Sequence, residues 1–245
     1  WFRDDARKRA DTTEAAETDF TMSTSPYYAD VWAIRQFIGD QTLANHDAPG
    51  NLLQEAARFV TDKLLLRREN QFISDFFGAS IWSYDHTGVA FAADDTAPEF
   101  TQWSDYTNSN PIADIEDGKL QIVSTTGLEA NTLVFGREVW PVLRNHPDII
   151  DRVSGGATNS NPALADLELI ARIFGVERVL VANTLKVTSN EGQTDTFGFT
   201  AGKGALLVHA ASTPGLMTPS AGYTFAWTDL PNGLPGATVG VKRYR

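Results

Sequence analysis

The feature that most constrains this chain is an uninterrupted interval from Asn51 to Phe77 that holds neither proline nor glycine. Ala48-Pro49-Gly50 precedes it and Gly78 follows it. Asn51 suits the capping position ahead of a helix, Gln54 stands three residues on, and Gly78 suits the position just past a helix end. Leu52, Ala56, Phe59, Leu66, Ile73 and Phe77 fall on one stripe, which Leu53, Val60 and Leu64 widen. The spacing predicts one helix over 51–77, roughly 40 Å long and well beyond the usual globular length. So long and stiff an element suits the spine of the fold.

Around that helix the signals are shorter. Trp1 to Asp5 and Phe20 to Tyr28 read as two strands, with the polar stretch Lys8 to Thr18 as the tip between them. A hairpin of this kind has little core of its own and needs a neighbour to lie on. Residues 79–110 are rich in Asp, Thr, Ser and aromatics and read as loops with short strands. Asn110-Pro111 and Asn161-Pro162 each place a capping residue before a proline at the first helical position. Ile112, Ile115, Ile122 and Val123 continue the first helix to Gly127; Leu164, Leu167, Ile170 and Phe174 continue the second to Gly175. Asn131 to Phe135 reads as a buried strand and Arg137 to Asn145 as a short helix broken at His146-Pro147-Asp148. Arg178 to Val187, Ala205 to Ala210, Tyr223 to Trp227 and Thr238 to Tyr244 are strand candidates. This order predicts an α+β fold, with helices and an open sheet in one lobe, rather than a regular βαβ series.

Charge and composition narrow the function. With 20 Lys and Arg against 31 Asp and Glu, the net charge of -11 opposes any role that wraps phosphates in a basic surface. The chain has no cysteine, so disulfides, thiolate metal sites and cysteine nucleophiles are absent. No apolar run approaches the roughly 20 residues of a membrane helix. The chain opens at Trp1-Phe2 without a methionine and stops on the strand-like Lys242-Arg243-Tyr244-Arg245, so both ends are expected to be missing.

Chemical motifs are sparse. There is no G-x-S-x-G elbow, Walker-type loop, H-E-x-x-H or strand-borne G-x-G-x-x-G. Gly202-Lys203-Gly204 is too short to cradle a phosphate. His46, His86, His146 and His209 are widely spaced, and caps or hydrogen-bonding histidines are the preferred reading over a metal site or triad. Asp94-Asp95 and Glu116-Asp117 are acidic pairs whose neighbours seldom converge on one centre. The second pair lies in the first turns of a predicted helix, where the dipole favours negative charge. The sequence therefore predicts no catalytic, cofactor-binding or metal residues. Two basic clusters remain as surface contacts. Arg67-Arg68, between Asp62 and Glu69, suits ion pairs within or between subunits, and Arg7-Lys8-Arg9 at the hairpin tip suits docking on an acidic neighbour.

Three passages carry a specific resemblance. Asp40-Gln41-Thr42-Leu43-Ala44-Asn45, followed by Phe59 to Glu69 and Asp75-Phe76-Phe77, is similar to the arm-to-spine passage of tailed-bacteriophage major capsid proteins. Asn131 to Trp140, followed by Leu143 to Asp148, resembles that family's strand and helix in the axial lobe, and Phe174 to Val181 its next helix-to-strand junction. The matches run in the family's order over nearly the whole chain.

The resemblance implies the Hong Kong 97-like capsid fold. Residues 1–45 would be its extended loop, 46–110 the peripheral domain with the spine helix, 111–225 the axial domain and 226–245 the return to the peripheral domain. The family's N-terminal arm and closing C-terminal strand have no counterpart, and Pro141 falls inside a helix that the family leaves unbroken. In a first turn Pro141 is tolerable, since the N–H it lacks has no partner there. The implied role is structural and not enzymatic: a subunit that assembles with itself, as hexamers and pentamers, into an icosahedral head around double-stranded DNA. The implied partners are portal, scaffolding and cement proteins, and the implied location is the virion, assembled in the host cytoplasm. Trp1, Phe2, Arg7, Lys8, Arg9, Arg67 and Arg68 become candidate contacts between subunits. Some members of the fold crosslink an extended-loop lysine to a neighbour's asparagine. Lys8 stands at the predicted tip, but no acid to promote that bond is evident, so a solvated lysine is preferred. Rival readings are an encapsulin-type shell around protein cargo and a soluble α+β hydrolase using His86 and nearby acids.

Overall fold

In the computed structural model, which describes residues 3–19, 21–47, 50–91, 99–154 and 166–225, the long helix forms without a break. A short α1 (Asp40–Ala44) precedes α2 (Leu52–Phe76). Asn51 Oδ1 accepts from the Gln54 amide at 3.3 Å, and the Phe77 amide closes the far end on the Ile73 carbonyl at 2.9 Å. The predicted stripe is half-buried except at Phe59, which is 50% exposed. Two parallel strands, β1 (Thr87–Val89) and β2 (Glu99–Thr101), follow.

Next comes α3 (Pro111–Thr126), which begins and ends where its residues dictate. Asn110 Oδ1 accepts from the Ala113 amide at 3.1 Å, Pro111 occupies the first position, and Gly127 stops the helix at φ 69°. The chain then runs through β3 (Thr132–Gly136), α4 (Val139–Arg144), α5 (Pro147–Ser154), α6 (Leu167–Phe174), β4 (Arg178–Ala182), β5 (Leu185–Val187), β6 (Phe197–Phe199) and β7 (Ala205–Val208). The architecture is α+β.

Three strands form the central sheet in the order β4-β3-β7. β3 pairs in parallel with β4, Leu133 opposite Val179, and antiparallel with β7, Leu133 opposite Leu207. As the middle strand β3 is buried along its whole length, which is why Thr132-Leu133-Val134-Phe135 reads as a run and not as an alternation. Phe135, Leu143, Ile149, Ile170 and Phe174 are each 0% exposed and form the centre of the core with Leu133 and Ile115. Each such side chain stabilises the fold by about 1.5–3 kcal/mol relative to its exposed state. Gly136 ends β3 where an added Cβ would lie 2.0 Å from the Gly202 carbonyl oxygen, so only glycine fits there.

Several expectations are corrected. The N-terminal segment is one of two compact units, Trp1–Val31 and Trp32–Arg245. Its chain reverses at Ala10–Thr13, with Thr12 at φ 70°, and Thr18 Oγ1 reaches back to Asp5 Oδ2 at 3.3 Å. No strand pairing joins its described residues; with every described residue but Ala29 exposed, it buries no apolar face to hold a ladder. Trp1, Phe2 and Phe20 lie outside the described residues.

The helix expected from Asn161-Pro162 begins instead at Leu167. Asp166 is extended there, and its carboxylate accepts from the Leu167 amide at 2.7 Å. Asn161, Pro162 and Leu164 lie outside the described residues. The expected strand Arg178 to Val187 is split because β4 follows β3, whereas β5 leaves to pair with β6, Leu185 opposite Phe199. Tyr223 to Phe225 form no strand, and Trp227 and the run Thr238 to Tyr244 lie outside the described residues. The break at His146-Pro147-Asp148 is itself a helix start, with Pro147 in the first position of α5. Pro141 is the third residue of α4, where its missing N–H leaves no intrahelical bond unmade.

Candidate functional site

A helix lying on a globular core normally buries one stripe of side chains. None of the 25 residues of α2 is fully buried. Phe59, Leu65 and Phe72 are 50%, 42% and 38% exposed. The segment leading into the helix is more open still, with Trp32, Ile34 and Phe37 exposed and Phe37 at 90%. In the N-terminal unit Met22, Tyr27, Tyr28 and Val31 are likewise exposed. On α2 and the segment before it, large apolar groups thus lie grouped in water, the kind of surface that partners commonly cover.

One flank of α2 is internally organised. The Arg67 guanidinium stacks on the Trp32 ring at 3.9 Å and donates to Gln71 Oε1 at 2.9 Å; Gln71 in turn donates to Asp75 Oδ1 at 2.8 Å. Arg67 is thus engaged within its own chain, through an aromatic ring and not through Asp62 or Glu69. Near the helix end Phe72 stacks on Phe76 at 4.9 Å, and Trp82 Nε1 donates to the Phe76 carbonyl at 2.8 Å.

Arg7, Lys8 and Arg9 are exposed ahead of the Ala10–Thr13 turn, and Arg68 is exposed on α2. Trp1 and Phe2 lie outside the described residues. No local signal in the sequence distinguishes the exposed Trp32 and Phe37 from core aromatics.

The histidines do not converge. His46 Nε2 bonds the Gly50 carbonyl oxygen at 2.8 Å, His209 Nδ1 bonds that of Glu129 at 2.7 Å, and His86 packs between the Tyr84 and Phe100 rings. Asp114 accepts from Trp103 Nε1 at 2.7 Å; burial raises its pKa, opposed by that hydrogen bond and by His86. Asp94-Asp95 lies outside the described residues. Glu116 and Asp117 sit in the second turn of α3, beyond the first-turn stretch where the dipole acts, and Glu116 instead pairs with Lys119 at 3.0 Å. Among the described residues no group of three or more His, Asp or Glu is placed to hold a metal ion. No helix there is long and apolar enough to cross a membrane.

Ser109 and Asp148 flank His146 in the order of a catalytic triad. Ser109 Oγ is 3.0 Å from His146 Nε2, and Asp148 Oδ2 is 3.8 Å from Nδ1. The hydrogen bonds run the wrong way for catalysis. Nδ1 accepts from the Asp148 backbone amide at 3.3 Å, which places the ring proton on Nε2, and Ser109 Oγ donates to the Asp105 carbonyl at 2.6 Å. A triad needs the opposite tautomer, with Nε2 free to take the serine proton. The imidazole is 0% exposed, and burial lowers its pKa against a smaller opposing pull from Asp148. It is a neutral link tying the loop before α3 to the start of α5.

The fold is similar to that of the crystal structure of a phage-related protein from Bordetella bronchiseptica RB50, with a TM-score of 0.54 and 22% identity over 72% of this chain and 53% of that one. In sequence the chain is 30% identical over 90 residues to the major capsid protein of Burkholderia phage BcepMu, a match spanning 37% of this chain and 28% of the relative. No family model matches. The chain is thus similar in fold to that protein, and one stretch of it is similar in sequence to a phage major capsid protein.

Proposed function

We propose that this chain is a shell-forming subunit of a tailed-phage head, built on the Hong Kong 97-like plan, with a structural role and no catalysis. The observation that carries the reading is α2: a 25-residue helix with no fully buried residue and with exposed Phe59, Leu65 and Phe72. A helix left this bare is completed by neighbouring subunits. The distant likeness to a phage major capsid protein supports the same reading.

On this plan residues 1–45 are the extended loop, 46–110 the peripheral domain, 111–225 the axial domain and 226–245 the return to the peripheral domain. The loop lies across an adjacent subunit. Arg7, Lys8, Arg9 and Arg68 meet acidic groups there, Trp1 and Phe2 cover apolar surface, and Arg67 contributes through the Trp32 it supports. The net charge of -11 suits a lining that encloses double-stranded DNA without gripping it. Portal, scaffolding and cement proteins are the expected further partners, the virion is the expected location, and the host cytoplasm is the expected site of assembly.

Electron microscopy of purified particles tests the reading. Closed shells packed with DNA and carrying a tail vertex are expected. Shells filled with protein cargo would favour an encapsulin-type compartment, and the absence of particles would overturn both.

A further inference from the structure

Arg137, Trp140 and Arg144 stand at i, i+3 and i+7, which brings all three to one side of α4 and the turn before it. They line an open groove of about 500 Å³ whose far wall is Val181 and Asn183 at the edge of β4. Trp140 is half-buried on the core, and Arg137 Nη1 is steadied by Asn183 Oδ1 at 3.4 Å. Among the described residues neither guanidinium has an ion pair. Asp166 also borders the groove, with one oxygen accepting from the Leu167 amide that begins α6, so the two arginines face a single carboxylate of their own chain. In a chain of net charge -11, two arginines without ion pairs around an aromatic ring form a site whose guanidiniums donate to an incoming carboxylate.

A complementary surface lies on α3. Asp117 and Leu120 are exposed three residues apart, Leu120 at 64%, and Val123 continues the row at 37%. Glu116 beside them is already paired with Lys119, which leaves Asp117 as the free charge. The two surfaces belong to different elements, α3 in one case and α4 with the end of β4 in the other. α3 packs on both β7 and α6, and the groove opens between α4 and β4. A contact between two such unlike surfaces joins copies head to tail, the arrangement from which closed rings are built.

We propose that the Arg137–Trp140–Arg144 groove of one subunit receives the Asp117–Leu120 face of α3 from the next copy of this chain. The proposal rests on the shell-subunit reading and names the contact that closes its rings. Asp117 meets Arg144 and Arg137, and Leu120 covers Trp140.

Charge exchange tests it. Arg144→Glu and Asp117→Arg, each on an exposed or half-exposed helix position, are assembled in parallel with the unaltered protein after circular dichroism has verified their folding. Each alone is expected to raise the protein concentration needed for assembly roughly tenfold or more, because two like charges then face each other. The double variant, with the pair reversed, returns it to near that of the unaltered protein. Either single variant assembling normally, or a double variant no better than the singles, overturns the contact. Failure of the unaltered protein to form particles is a separate result, and it would overturn the shell reading together with the contact.

Discussion

Replacing Gly136 with alanine places one methyl group against the best-defined backbone crossing in the fold. The added Cβ would lie 2.0 Å from the Gly202 carbonyl oxygen and 2.9 Å from the Gly202 carbonyl carbon. Non-bonded heavy atoms rest about 3.5–4.0 Å apart, so the turn ahead of β7 must retreat by more than about 1 Å. That retreat weakens the Gly136 amide bond to the Gly204 carbonyl, now 2.8 Å long, which contributes about 0.5–1.5 kcal/mol. Overpacking adds about 1–3 kcal/mol. The lower entropy of an unfolded chain carrying alanine offsets about 0.4–1 kcal/mol. The expected net loss is about 2 kcal/mol. With a urea dependence of about 2 kcal/mol per molar, the unfolding midpoint read by tryptophan fluorescence falls by about 1 M at unchanged slope. An unchanged or higher midpoint would mean that the turn does not cross the end of β3, and the β3–β7 register would be wrong.

Gly118 predicts the opposite sign. It lies inside α3, where alanine gains about 0.8–1 kcal/mol of helix propensity, and the new Cβ meets only the flexible end of Leu207 at 3.3 Å; the Gly118→Ala midpoint should rise. His146 predicts a pH dependence. Its folded pKa is lowered from 6.5, so its contribution is complete above that value and is lost as pH falls through 6.5 toward the folded pKa, where the unfolded chain takes up the proton first. Melting temperatures between pH 7.5 and 5.5 should fall more steeply for the natural protein than for a His146→Asn variant, and equal slopes would contradict the burial argument. Hydrogen exchange should show residues 3–31 unprotected in free subunits and protected in assembled ones, since ordering them costs roughly 1–2 kcal/mol per residue without a core of their own. Equal protection in both states would assign the segment to the subunit's own fold.

Much of this structure is legible in the sequence wherever local chemistry decides it. Asn51 and Asn110 cap the helices they announce, Gly127 and Gly175 end theirs at positive φ, and the run through Phe135 is the buried central strand. What is not legible depends on partners distant along the chain. The row Arg178 to Val187 looks continuous, yet it divides because β3 claims one half and β6 the other. Arg67 has acids nearby in sequence but stacks on Trp32, thirty-five positions away. The Arg137, Trp140 and Arg144 spacing is visible, but the open groove appears only once Val181 and Asn183 are brought alongside. His-Pro-Asp at 146–148 signals a break, and only burial of Ile149 shows that the break begins a helix.

The central claim is that the chain works as one subunit of a closed shell, and the mass of the purified protein in solution tests it most directly. Sedimentation velocity should reveal megadalton particles, dissociating to rings or single subunits only under conditions that also expose α2 and the N-terminal segment. A stable, monodisperse 26.8 kDa monomer at high concentration, with the same exchange protection throughout, would contradict the account.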